Sequence, residues 1–160
     1  MILIALGANL PSPAGPPART LRAALARLEE RGIKIQSISS FYETPAWPDP
    51  GQPAFVNAVA AVETRLQPVE LLTLLHAVET DFGRLRSAPN APRVLDLDLL
   101  DHGGTVMTDG VTLPHPRMTE RSFVLVPLAE IAPGWRHPVS GAGVADLLAA
   151  LPDRDVPRRI

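Results

Sequence analysis

Two carboxylates, Asp96 and Asp98, stand two residues apart in the run Arg93-Val94-Leu95-Asp96-Leu97-Asp98-Leu99-Leu100. Side chains alternate across a strand, so this spacing puts both acids on one face and Leu95, Leu97 and Leu99 on the other. At a rise of roughly 3.3 Å per residue the two Cα atoms lie about 6.6 Å apart, close enough for both groups to lean onto one or two hard cations. Paired acids beside a core strand repel each other and lose hydration, so the pattern asks for a positive partner. Mg²⁺ carrying a phosphorylated substrate supplies one. Arg84, Arg86 and Arg93 lie just upstream, and their forked donors match phosphate oxygens. Arginines in such a loop are often only solvated; their closeness to the two acids favours a nucleotide–Mg²⁺ clamp. No Gly-x-x-x-x-Gly-Lys-Ser/Thr run is present, so the clamp is not of the P-loop kind.

Other residues gather around this pair in weaker patterns. His115 sits between Pro114 and Pro116, in a turn whose backbone the prolines fix. Arg121, Ser122 and Phe123 open a helical stretch, where free backbone N–H groups attract anions. Phe55 and Asn57 share a strand face opposite Val56 and Ala58. A ring and an amide on one face suit a flat heterocycle, the ring stacking and the amide reading polar edges; packing beneath a helix suits them equally. Glu79, one turn beyond His76, has two readings: it orients an arginine, or it is solvated.

The elements that must position these groups follow from periodicity. Ile2–Leu6 is an apolar first strand ending at Gly7-Ala8-Asn9, too short and too poor in leading basic residues for a signal peptide or membrane span. Leu21, Leu25 and Leu28 recur at helical spacing before Gly32. Residues 33–44 are β-like, with an apolar slip between Ile35 and Ile38 that predicts a bulge. Four prolines keep 45–53 irregular, as in a binding loop. Residues 55–62 form a second long strand, and Pro68 begins a helix striped by Leu71, Leu75, Val78 and Phe82 and closed by Gly83. With the Asp96/Asp98 strand the order is β-α-β-β-α-β, an α+β, ferredoxin-like antiparallel sheet with helices on one face. Helices near 119–131 and 143–151 extend it at the C-terminus, and Arg154 to Ile160 are expected to fray.

Composition sets the limits. A chain of 160 residues, 46% hydrophobic, is expected to form one domain over 1–160 with its own core. A net charge of −2 gives no electrostatic case for nucleic acid or membrane as partner. Without cysteine, disulfides and thiolate-held zinc are excluded. A cytoplasmic enzyme or binding module fits. Basic residues are arginine except Lys34; GC-rich coding and thermal adaptation both account for that bias.

Taken together, several segments resemble the 6-hydroxymethyl-7,8-dihydropterin pyrophosphokinase family of folate biosynthesis. They are Ala5-Leu6-Gly7-Ala8-Asn9-Leu10, Ser39-Ser40-Phe41-Tyr42-Glu43-Thr44-Pro45, Gln52-Pro53-Ala54-Phe55-Val56-Asn57-Ala58, Gly83-Arg84-Leu85-Arg86, Pro92-Arg93-Val94-Leu95-Asp96-Leu97-Asp98, Leu113-Pro114-His115-Pro116-Arg117-Met118 and Arg121-Ser122-Phe123-Val124-Leu125. The resemblance implies transfer of the β,γ-pyrophosphoryl group of ATP to the 6-hydroxymethyl oxygen of the reduced pterin, releasing AMP. It implies two Mg²⁺ ions on Asp96 and Asp98, with Arg84, Arg86 and Arg93 clamping phosphate and Arg84, Arg93 and both acids as catalytic groups. ATP contacts would come from the three arginines, Leu99, Thr112, His115 and Arg121. Pterin contacts would come from Gly7, Thr44, Pro45, Phe55, Asn57, Asp96, Arg121 and Phe123, with Glu79 supporting the metal–arginine network and the chain acting as a monomer. The arginine loop, Ser87-Ala88-Pro89-Asn90-Ala91, is shorter than in well-known bacterial members and lacks their tryptophan; Phe55 stands where tyrosine is common. Two other classes compete: a ferredoxin-like module that binds nucleotide or metal without chemistry, and a small-molecule kinase with another acceptor.

Overall fold

The alternation read over residues 55–62 becomes the central strand of the molecule, β4 (Phe55–Glu63). The computed structural model describes residues 1–46, 49–83, 93–152 and 156–160. Among them the chain runs β1 (Ile2–Ala8), α1 (Pro17–Glu30), β2 (Lys34–Ile38), β3 (Tyr42–Thr44), β4, α2 (Pro68–Asp81), β5 (Asp96–His102), a 3₁₀ turn (Met118–Glu120), α3 (Ser122–Ile131), α4 (Val144–Ala149) and β6 (Arg158–Arg159). The sheet order is β5-β1-β4-β3-β6, with β2 pairing the far half of β4, and every pairing is antiparallel. This is the α+β, ferredoxin-like arrangement with a C-terminal helical extension.

Period-2 patterning divides the strands between two cores. Ile4, Leu6, Ala58, Ala60, Val62, Leu97 and Leu99 face α1 and α2, meeting Leu21, Leu28, Leu71, Leu75 and Val78. Pro68 starts α2 at a position that needs no backbone donor, and a Gln67/Glu70 capping box closes its first turn. Gly83 ends it with φ of +86°, a conformation that disfavours any side chain. Leu3, Val59, Ala61 and Leu100 face the other way, against Met118, Val124, Leu125, Leu128 and Trp135. The extension thus covers the sheet face that α1 and α2 leave open.

Two irregularities adjust the ladder. The bulge expected between Ile35 and Ile38 is present: Ile35 pairs Val62 and Ser37 pairs Ala61, leaving Gln36 unopposed. Ser39 carries the ladder on toward β3, its N–H donating to the Val59 carbonyl and its hydroxyl accepting the Val59 N–H. In β5, Ile4 pairs Leu99 and Leu3 pairs Asp101, so Leu100 is the extra residue. Asp101 therefore lies on the α3 face, where its buried carboxylate accepts Trp135 Nε1–H at 2.9 Å and the Gly104 N–H at 3.0 Å.

The tail corrects one expectation. Arg158–Arg159 do not fray but add β6 beside β3, with Tyr42 opposite Arg159 and Glu43 opposite Arg158. The Ile160 N–H donates to the Phe41 carbonyl. The Tyr42 hydroxyl donates to Glu130 on α3 at 2.6 Å, and Arg159 reaches both groups. Burial, then the neighbouring Glu130, raises the Tyr42 pKa, which keeps that donor protonated. A polar tail becomes a strand because these partners wait on β3 and α3.

Candidate functional site

The site is laid out by one row of the sheet. Gly7 on β1 pairs Asp96 on one side and Asn57 on the other, and Asn57 pairs Tyr42. Directly paired residues share a face, so Asp96, Gly7 and Asn57 stand side by side on the face that α3 covers only further along. Two residues along in one direction, Ala5 separates Asp98 from Val59; two residues along in the other, Thr44 pairs Phe55. The expected common face for Asp96 and Asp98, and for Phe55 and Asn57, is what the structure shows.

Gly7 is required here by space. A Cβ built on it would lie 2.5 Å from Asn57 Oδ1, well inside contact distance. The buried Asn57 amide fills that gap, its Nδ2 donating to the Thr44 hydroxyl at 3.4 Å. Thr44 is buried and Pro45, next in the chain, is exposed. Phe55 is half-buried at the start of β4.

On the acid side, Arg93 Nη1 meets Asp96 Oδ2 at 2.9 Å and Arg121 Nη1 approaches Asp98 Oδ2 at 3.9 Å. The four side chains keep between 21% and 32% of their surface exposed, enough to exchange partners with a ligand. Arg121 is the residue that caps the start of α3, and its guanidinium lies 5.5 Å from the Phe123 ring centre. His115 follows the cis Leu113–Pro114 peptide, and its N–H donates to the carbonyl of the bulge residue Leu100 at 2.9 Å. Burial, then the Arg121 charge, pushes its pKa down to about 4, with Arg117 adding and Asp96 opposing. The imidazole is therefore neutral at ordinary pH. Its Nδ1 accepts the Arg117 N–H at 3.2 Å, which leaves the proton on Nε2 as a donor.

Glu79 is neither solvated nor remote. It is 2% exposed, and its carboxylate accepts the Leu97 N–H at 2.8 Å, fixing the backbone between the two acids. Thr112 lies exposed beside the Leu113–Met107 bridge. The Leu99 side chain is buried in the leucine layer under α1 and α2, on the face away from the acids. Only its backbone remains for a nucleotide. Arg84 and Arg86 fall outside the described residues.

Sequence reasoning attached no role to Asn9, which the structure places between the two sides of the site. Its position marked only the end of a strand, and the fold brings its partners, Pro53 and Arg93, to it.

The donor set suits a cation that arrives with its own ligands. Asp96 and Asp98 offer hard oxygens on one face, and the described residues contain no group of three or more His, Cys, Asp or Glu side chains able to hold a metal. Mg²⁺ binds through one or two carboxylates and completes its shell with phosphate oxygens and water, so the residues fit it in company with a polyphosphate.

Comparisons with known proteins bear on the family and the fold. Residues 3–133 match the family model for 7,8-dihydro-6-hydroxymethylpterin-pyrophosphokinase. A 2-amino-4-hydroxy-6-hydroxymethyldihydropteridine pyrophosphokinase of Synechocystis is 41% identical, the match covering 91% of this chain and 73% of that one. The enzyme of that name from Pseudomonas aeruginosa is 39% identical over 98% of this chain and 95% of its own. The Pneumocystis carinii folic acid synthesis protein fol1 is 36% identical over 97% of this chain, which spans only 20% of that longer protein. The crystal structure of Plasmodium falciparum HPPK-DHPS superposes with a TM-score of 0.71 at 15% identity, over 92% of this chain and 40% of that one; at that identity it speaks to the fold alone.

Proposed function

The chain belongs to the 7,8-dihydro-6-hydroxymethylpterin-pyrophosphokinase family, whose reaction is pyrophosphoryl transfer to hydroxymethyldihydropterin in folate biosynthesis, and from that premise we propose how its own residues carry the transfer out. The donor is ATP. The 6-hydroxymethyl oxygen of the pterin attacks the β-phosphorus, the bond from that phosphorus to the α,β-bridging oxygen breaks, the hydroxyl gives up its proton, and AMP leaves. The supporting observation is the row Asp96–Gly7–Asn57, which sets an acid for phosphate-borne cations beside an amide for the heterocycle.

On the pterin side, Asn57 and the Thr44–Pro45 segment read the ring edge, Gly7 leaves room for it, and Phe55 and Phe123 stack on its faces. On the phosphate side, Asp96 and Asp98 would hold two Mg²⁺ ions, which would shield phosphate charge and lower the pKa of the attacking hydroxyl. Arg93 and Arg121 exchange their carboxylate partners for phosphate oxygens and neutralise charge that develops on them; Arg84 and Arg86 join them. His115, neutral and donating through Nε2, contacts the nucleotide together with Thr112 and the Leu99 backbone. Glu79 keeps the acids in register by holding the strand between them.

This reading has the chain work as a cytoplasmic monomer, with ATP and the pterin as its partners and no role for nucleic acid or membrane. No helix among the described residues is long and apolar enough to cross a membrane.

The test is turnover of ATP and 6-hydroxymethyl-7,8-dihydropterin with Mg²⁺, followed by nucleotide analysis. AMP and the pterin diphosphate in equal amounts are expected, with no turnover in EDTA. ADP as the product would refute the reading in favour of an ordinary kinase, and no product at all in favour of a binding module.

A further inference from the structure

Asn9 lies just past the end of β1, 1% exposed, with both ends of its amide engaged. Nδ2 donates to the Pro53 carbonyl at 3.1 Å, and Oδ1 accepts the Arg93 N–H at 2.8 Å. The backbone N–H groups of Asn9 and Leu10 both donate to the Arg93 carbonyl, at 3.0 and 3.2 Å. Its side-chain partners are 44 and 84 residues away in the chain, so these bonds join distant loops and do not merely close a turn. Pro53 stands two residues before Phe55 on the heterocycle side. Arg93 holds Asp96 at 2.9 Å on the phosphate side.

We propose that Asn9 is a positioning residue that sets the loop before Phe55 and the backbone of Arg93 at a fixed separation, tying the two substrate sides together. This rests on the function proposed above. The partners dictate the residue type: a carbonyl asks for a donor and an N–H asks for an acceptor, on opposite sides of one short buried group. Aspartate meets only the second demand and alanine meets neither. The link is also rigid, because a buried donor or acceptor left unpaired is costly. A heterocycle that settles the Phe55 side therefore settles the Arg93 backbone too, before any phosphate arrives.

The experiment compares Asn9→Asp and Asn9→Ala with the unaltered chain in steady-state turnover with ATP and the pterin. Asn9→Asp keeps the acceptor for the Arg93 N–H and sets two oxygens against each other at Pro53. It is expected to raise the pterin KM roughly tenfold while the ATP KM stays within about twofold, whereas Asn9→Ala raises both and lowers kcat. Equal effects on both substrates in Asn9→Asp, or unchanged kinetics with only a lower Tm, overturn the proposal. A second measurement needs no variant to fold: in the unaltered chain, pterin alone is expected to slow hydrogen exchange at the Arg93 N–H. Exchange that does not respond overturns it as well. Loss of turnover in the unaltered chain refutes the proposed function instead; normal turnover with indifferent Asn9 variants refutes the positioning role alone.

Discussion

Beneath α1 and α2 the sheet presents Ile4, Leu6, Ala58, Ala60, Leu97 and Leu99; on its other face the intervening residues are Leu3, Val59, Ala61 and Leu100 beneath α3, then Gly7, Asn57, Asp96 and Asp98. The same strands build both. The first face is apolar from end to end. The second changes character near Arg121, where α3 starts, so one end is core and the other is left polar and partly open. Alternation lets one strand satisfy both demands at once: Leu97 anchors the strand in the core while its neighbours on either side stand on the polar face. The stability of the site is thus supplied from the face opposite to it.

That division can be broken residue by residue. The largest effect is expected from Asp98→Asn, which removes a carboxylate charge from the polar end and should lower kcat roughly 10²–10³-fold, with the urea midpoint unchanged. A loss of stability in its place would show that the acid belongs to the scaffold. Its neighbour gives the mirror result: Leu97→Ala is expected to cost about 2–5 kcal/mol in urea unfolding while both KM values hold near those of the unaltered chain. Gly7→Ala comes next. Its new methyl displaces Asn57, so the pterin KM should rise roughly tenfold with the ATP KM little changed, as steady-state kinetics would show.

The smallest effect concerns pH. His115 takes up its proton near 4 in the folded chain, against an ordinary value of 6.5. Between those values the unfolded chain binds more protons than the folded one, so stability falls as the solution is acidified. The contribution of the neutral imidazole is complete above pH 6.5 and is lost on the way down to about 4. His115→Gln should flatten the stability profile in that window, as urea titrations at several pH values would reveal. An unchanged slope would place the acid sensitivity elsewhere on the polar face.

The sequence discloses most readily what depends on neighbours along the chain. The β4 alternation, the α2 stripe ending at Gly83 and the slip between Ile35 and Ile38 are local patterns, and each has its counterpart in the structure. The shared face of Asp96 and Asp98 is local too. What stays hidden depends on partners far away. The hold of Glu79 on β5 could not be read because the group it accepts from there is a backbone N–H, and backbone groups carry no signature in a sequence. Two arginines in a polar tail gave no sign of β6 because Tyr42, Glu43 and Glu130 create the strand. Which atoms Leu99 can offer a nucleotide stayed hidden as well, because family position says nothing about which way a side chain turns. The common face of the two acids and the order of elements could be inferred early; the residues that hold them in place could not.

Counted against its neighbour, β5 is one amino acid longer than β1 requires. A gene that lost the codon for Leu100 would still encode a strand matching Ile4 to Leu99 and Leu3 to Asp101, in an unbroken ladder with both acids where they now stand. What it would give up is the Leu100 side chain buried beneath α3, and with it the spare carbonyl that fastens His115. The extra link is therefore the means by which one edge of the sheet reaches across to the turn bearing the histidine, and trimming it would loosen that hold while the rest of the lattice closed over the deletion.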